Sequence, residues 1–166
     1  LTPATPARRA RPAPRPGAHR PSHRSPPFPA GARADIGHAV LAARPYAEGV
    51  GDSSTLALPN EDVALLAKMR PLVNKLVVVV ISGRPMVLGD VASADAVVEA
   101  WLPGTEATGL ADVLLGAKPF LGTTPYTWPK TAADAPRVGK SACDGAVYPV
   151  GYGLDATGKL LGPAAC

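Results

Sequence analysis

The chain has 166 residues, which suits one domain or one domain with a tail, and no apolar run of the length needed to span a membrane. Its twenty prolines and seventeen glycines are well above ordinary usage while aromatics make up only 5%, so a core must rest on Val, Leu and Ala. The net charge of +4 divides into a tail (residues 1–34) with seven Arg and no acid, and a remainder with ten Lys or Arg against thirteen Asp or Glu, which excludes the clustered positive charge that a nucleic-acid-binding body needs.

Residues 1–34 contain nine prolines and a single branched aliphatic, Leu1. Proline removes backbone donors and excludes regular helix. With little apolar surface to bury, such a stretch cannot offset its ordering entropy and is expected to be disordered or polyproline-like. Three readings stand: a basic arm, a linker, or Arg/Pro/Ala-rich sequence of the kind that GC-rich DNA yields in a wrong frame. The stretch lacks the apolar segment of a signal peptide and begins without Met, which suggests a fragment or a processed chain.

From Ile36 the pattern changes. Residues 37–43, GHAVLAA, predict a short buried strand. PYAEGVGDSS (45–54) predicts a loop. Asn60 is placed as a helix N-cap, with Glu61 and Asp62 in the first turn, where the helix dipole favours acids. Val63, Leu66, Ala67 and Arg70 fall on one face, and the helix is expected to end before Pro71. LVVVVIS (76–82) does not alternate, so it predicts a strand buried on both faces, the mark of a parallel sheet covered by helices. MVL (86–88) and AVVEAWLP (96–103) are further strand candidates. TEATGLADVLLG (105–116) predicts a helix with an early acid and a closing Gly116. The remainder, rich in Pro and Gly, is expected to be loop-rich, with a tight structure at VYPVGYGL (147–154). The order strand–helix–strand–strand–helix indicates an α/β layered domain with a mainly parallel sheet.

Cys143 and Cys166 have no metal-ligand spacing, and neither do His19, His23 and His38. The two cysteines either pair, closing a loop of roughly twenty residues, or remain thiols; both readings stay open.

Several segments, in order, resemble the C-terminal α/β sandwich domain of family 3 glycoside hydrolases. They are PYAEGVGD (45–52), VVVVISGRPMVL (77–88), DAVVEAWLPGTEATGLADVLLG (95–116), FLGTTPYTWPK (120–130) and YPVGYGL (148–154). The resemblance covers roughly residues 45–154 and implies a division into a tail at 1–35 and a partial C-terminal domain at 36–166. It implies a retaining β-glucosidase or exo-β-glucanase acting on terminal β-linked glucose, with a nucleophile and a separate acid/base. The nucleophile would be an Asp on a (β/α)8 barrel, the missing partner domain. The acid/base would be Glu48. No metal or organic cofactor is implied, and relatives of this kind are often periplasmic or secreted.

The match has departures. Ala42 and Ala43 stand where the family usually has Gly-Glu, and Ala107 where it has Gly. The partial sheet is expected to leave an apolar face uncovered. Other residues read better as structure: Asp52 as a turn residue, Arg84 as a partner for an acid or a strand terminator, Trp101 and Trp128 as core, and Glu106 as a first-turn acid. The rival to the enzymatic reading is a non-catalytic α/β binding or assembly module, or a degenerate fragment, carrying a basic arm.

Overall fold

The computed structural model describes residues 31–44, 46, 49–135 and 142–166. The chain divides into residues 1–31 and 32–166, and every helix and strand among the described residues belongs to the second unit. The tail expected over residues 1–30 lies outside the described residues.

The fold is α/β, built on a three-stranded parallel sheet. Its strands are β1 (Ala34–Ala42), β2 (Val73–Ile81) and β3 (Ala96–Glu99), in the spatial order β1-β2-β3. The apolar run 76–82 lies within the central strand and its exit. Val78, Val79 and Val80 are fully buried, as a strand covered on both faces requires. β1 begins earlier than its apolar run suggested, because pairing with β2 extends to Ala34 opposite Val73. Backbone hydrogen bonding, which is blind to side-chain type, carries the strand through Asp35. β1 alternates instead of being buried throughout. Ala39 and Leu41 point into the core, while Ile36 and Val40 are more than half exposed and form the uncovered apolar face that was expected.

Helix α1 (Asn60–Met69) connects β1 to β2. Pro59, not Asn60, occupies the cap position, and its carbonyl accepts from the N–H groups of Asp62 and Val63. The α-helix ends at Met69, before Pro71, as expected. The chain then tightens into a 3₁₀ turn, Arg70–Leu72, whose early positions need no N–H from proline. The buried face is Val63, Leu66 and Met69, whereas Ala67 and Arg70 are exposed. Spacing of three rather than four turns the stripe toward the sheet.

Residues 86–88 do not form a strand. Val87 makes one isolated parallel bridge to Ala57, and Met86 and Leu88 enter the core. β3 is half its expected length, since Trp101 has a φ of 53° and turns the chain away. At the start of β3, Asp95 accepts from the Leu76 N–H, Arg70 and Lys75, at 2.8, 2.7 and 3.0 Å. These donors hold its carboxyl far below the usual range.

Helix α2 (Ala107–Leu114) begins with Glu106 at the cap position, and Gly116 follows it at a φ of 80°, a left-handed conformation that glycine adopts without strain. The C-terminal part is loop-rich, as expected, and carries a short strand pair. β4 (Trp128–Pro129) and β5 (Ala146–Tyr148) form a small antiparallel pair. Tyr148 and Tyr152 stack with centroids 4.4 Å apart.

Cys143 and Cys166 are joined by a disulfide, which closes the alternative of free thiols. The Cys166 N–H also donates to Val147 O at 3.0 Å, so the bond fastens the chain end to β5. Cys143→Ser is expected to lower unfolding stability by about 3 kcal/mol, the loop-closure value for a span of this size. Chemical denaturation with and without reductant measures it. A reduced wild type matching the variant supports this role, and a variant as stable as the oxidised protein rejects it.

Candidate functional site at the C-terminal edge of the sheet

All three strands run the same way, so their C-terminal ends share one edge, where open α/β sheets place ligand groups. Three segments leave this edge. The first follows β1 into PYAEGVGD. The second is Ser82-Gly83-Arg84-Pro85, following β2. The third is Ala100–Glu106, following β3. The Ala43 N–H donates to Ile81 O at 2.9 Å and the Ala100 N–H to Val80 O at 2.8 Å, so both outer exits are fastened to the central strand.

Glu48 lies outside the described residues, as do Pro45 and Ala47, whereas Tyr46 and the residues from Gly49 onward are described. Gly49 has a φ of 74°, and the Asp52 N–H donates to Gly49 O at 3.1 Å, closing a turn. Asp52 therefore sits in a turn, as expected. Tyr46 lies against the exit of β2, where its hydroxyl accepts from Arg84 Nε at 3.1 Å. The Arg84 guanidinium carbon is 4.2 Å from the Tyr46 ring centroid, a cation–π distance. Arg84 Nη2 also donates to Gly51 O. Among the described residues the partners of Arg84 are a phenol and a backbone carbonyl. A cavity of about 380 Å³ lies beside this contact, lined by Arg44, Tyr46, Gly51, Ser53, Arg84 and Met86 among others.

Glu99 is the residue that sequence reasoning passed over. It ends β3 with its Oε1 accepting the Trp101 N–H at 3.0 Å. That bond holds a bulky residue in the left-handed region, a conformation costing about 1–3 kcal/mol. Its Oε2 is enclosed, with no hydrogen-bond partner among the described residues. Ser82 Oγ lies 2.6 Å from Arg84 O and 3.2 Å from Glu99 Oε1. A hydroxyl carries one hydrogen. Committed to the closer Arg84 carbonyl, Ser82 faces the carboxyl with a lone pair, which suits a protonated Glu99. Burial agrees, since it pushes the carboxyl up to about 7 despite the opposing backbone hydrogen bonds from Trp101 and Ser82. Glu99 braces this edge through its bond to the Trp101 N–H and its contact with Ser82. Its one sequence signal was an acid inside the apolar run AVVEAWLP.

The direction of this shift makes stability depend on pH. The unfolded chain releases the proton near 4.5 and the folded chain near 7. Between those values the folded state binds more protons, so stability falls as pH rises. The contribution is complete below about pH 4.5 and lost above about pH 7. Discounted for the solvent reaching part of the side chain, the loss is about 2 kcal/mol. Glu99→Gln is expected to remove this slope, measured as the difference between wild-type and variant unfolding curves at pH 5 and pH 8. Parallel pH dependences for the two proteins would reject a neutral Glu99.

Trp128 is buried, as expected, and Trp101 packs against it partly exposed, with centroids 6.1 Å apart. His38 lies on β1, and no metal-ligating cluster occurs among the described residues. No helix among them is long and apolar enough to cross a membrane.

Residues 29–156 match the glycosyl hydrolase family 3 C-terminal domain. The chain belongs to this family. The match starts several residues before Ile36, in keeping with the early start of β1. The chain is 27% identical over 149 residues to a periplasmic beta-glucosidase of Salmonella typhimurium, covering 75% of this chain and 20% of the relative. It is 32% identical over 103 residues to a lysosomal beta glucosidase of Dictyostelium discoideum, covering 60% and 12%. The crystal structure of a beta-glucosidase from Listeria innocua in complex with gluconolactone superposes with a TM-score of 0.65 at 26% identity, over 74% of this chain and 20% of that one. This family 3 domain thus spans a fifth or less of the length of these relatives.

Proposed function

We propose that this family 3 domain supplies the acid/base half of a retaining β-glucosidase or exo-β-glucanase site, with Glu48 as the acid/base. The supporting observation is the fastening of Tyr46 and Gly51, which bracket Glu48, to the C-terminal edge of a family 3 parallel sheet. A carboxyl on such a loop protonates the departing glycosidic oxygen and then deprotonates the incoming water. The second carboxylate, which forms the covalent glycosyl-enzyme, belongs to a (β/α)8 barrel partner. The substrate is a β-glucoside or β-glucan with a terminal glucose, in line with the names of the relatives. The partial domain begins before β1, at residues 31/32 rather than at the expected 35/36, since β1 starts at Ala34. A periplasmic or secreted setting fits the Cys143–Cys166 disulfide, because such bonds persist in oxidising compartments.

The test is a chimera in which residues 32–166 replace the matching segment of the Listeria innocua beta-glucosidase. Hydrolysis of β-glucosides that depends on Glu48 supports the proposal. A folded chimera whose activity is indifferent to Glu48 rejects it.

A further inference from the structure

Ser82 is only 1% exposed and stands where the buried strand β2 leaves the sheet. Its hydroxyl has two oxygens within reach. Arg84 O lies at 2.6 Å, across the turn Ser82-Gly83-Arg84, and Glu99 Oε1 lies at 3.2 Å, at the end of the neighbouring strand. Both are acceptors when Glu99 is ionised, and a single hydroxyl hydrogen cannot serve both well. The state of the carboxyl therefore decides where that hydrogen goes.

With Glu99 neutral, the carboxyl hydrogen on Oε1 is directed to the Ser82 oxygen, and Ser82 gives its own hydrogen to Arg84 O. Oε2, which has no partner among the described residues, is then a carbonyl oxygen, and its enclosure costs far less than that of a charge. With Glu99 ionised, the carboxyl proton has passed to solvent. A carboxylate attracts donors more strongly than a neutral carbonyl does. The Trp101 N–H already donates to Oε1 at 3.0 Å, and the Ser82 hydroxyl rotates to join it. Arg84 O loses its donor.

The turn that gains or loses this bond forms part of two cavity walls. Arg84 and Pro85 line a cavity of about 320 Å³, and Arg84 and Met86 line the one of about 380 Å³. Just beyond, Met86 O holds Trp128 Nε1 at 2.6 Å, and the Val87 N–H donates to Leu56 O at 2.8 Å. Those bonds confine any movement to Gly83–Pro85.

The neighbours of Glu99 leave it to this hydroxyl. Val80 stands beside it in the strand register, with Leu41 beyond. The Arg84 guanidinium is turned to the Tyr46 hydroxyl and Gly51 O, and Arg70 and Lys75 are paired with Asp95 at the opposite end of the strands. His38 is level with Val77, and Glu106 and Lys130 lie farther along the segments that follow β3 and β4. Burial has the largest effect on the Glu99 carboxyl, opposed by the Trp101 N–H and by the Ser82 hydroxyl and N–H, and none of these charged groups adds to it.

We propose that Ser82 is a one-hydrogen relay that passes the protonation state of Glu99 to the Arg84–Pro85 peptide beyond β2. A protonated Glu99 leaves the hydrogen on Arg84 O and the turn closed. Loss of that proton draws the hydrogen to the carboxylate and loosens the turn. The dependence of global stability on Glu99 needs no such relay, which adds a local change at one named peptide.

Carbon-detected NMR on the full 166-residue chain tests the relay, since it reads the Arg84–Pro85 peptide although proline carries no N–H. Between about pH 5 and about pH 8, a range that spans the raised value of Glu99, the Glu99 carboxyl and the Arg84 carbonyl are expected to titrate with one midpoint. The Arg84 carbonyl carbon moves upfield as its donor leaves. In Ser82→Ala the Glu99 carboxyl still titrates, and most of the movement at the Arg84 carbonyl is lost. In Glu99→Gln that carbonyl keeps its low-pH position throughout. An Arg84 carbonyl that stays still while Glu99 titrates in the wild type would overturn the proposal, and this result needs no variant to fold. So would an equal movement in Ser82→Ala, which marks the direct field of the carboxylate, and so would a Glu99 carboxyl that does not titrate in this range.

Discussion

Glu48→Ala in the chimera is expected to lower kcat on cello-oligosaccharides by about a thousandfold, the middle of the range for a lost general acid/base. The loss falls on the step in which the leaving oxygen needs a proton. Aryl glucosides with acidic phenols leave without one, so the covalent intermediate still forms and then accumulates. Its hydrolysis needs a base to activate water, and Glu48 is the group assigned to that task. Azide is an anion and needs no deprotonation. It is expected to restore turnover of the aryl substrate and to yield β-glucosyl azide, retention following from two displacements. Steady-state rates on both substrate types, with product analysis, decide the matter. Equal activity of parent and variant on cello-oligosaccharides would remove Glu48 from the chemistry.

The largest loss of stability is expected for Trp128→Ala. Trp128 is only 3% exposed and joins the core containing Leu41, Leu76, Val80 and Met86. Its Nε1 donates to Met86 O at 2.6 Å, which ties β4 to the segment just beyond Arg84. Truncation opens a large cavity worth about 3–5 kcal/mol. It also leaves the Met86 carbonyl without its donor, at a further cost of about 1 kcal/mol or more. Trp128→Phe is expected to recover part of the packing and none of the hydrogen bond, placing it between the two proteins in urea unfolding. Loss of less than about 1 kcal/mol in Trp128→Ala would show that the C-terminal segment rests on the core without supporting it. The same experiment bears on the site, because β4 lies against the exit of β2.

Elements with strong local patterns were legible from composition and spacing. Six consecutive aliphatic residues in 76–81 required a strand buried on both faces, and one formed at the centre of a parallel sheet. Gly116 ended its helix because a left-handed residue was needed there. The pairing of Cys143 with Cys166 was one of two open readings, since sequence carries no distance between sulfurs. The extent of β1 and the brevity of β3 were not legible. The first depends on backbone pairing with β2, and the second on a single residue, Trp101, held at positive φ by the Glu99 carboxyl. The segment at 86–88 has strand-like composition, but no neighbour gives it more than one bridge.

By itself the sequence determined the lineage and the buried parallel strand, and it proposed Glu48 as the acid/base, because each rests on short motifs of neighbouring residues. Only the tertiary structure decided what Arg84 and Glu99 do. Arg84 reaches a phenol 38 residues earlier, and Glu99 meets a serine 17 residues earlier. Burial of a charge or a carboxyl is a property of what surrounds it, and those surroundings come together only when distant strands align their ends.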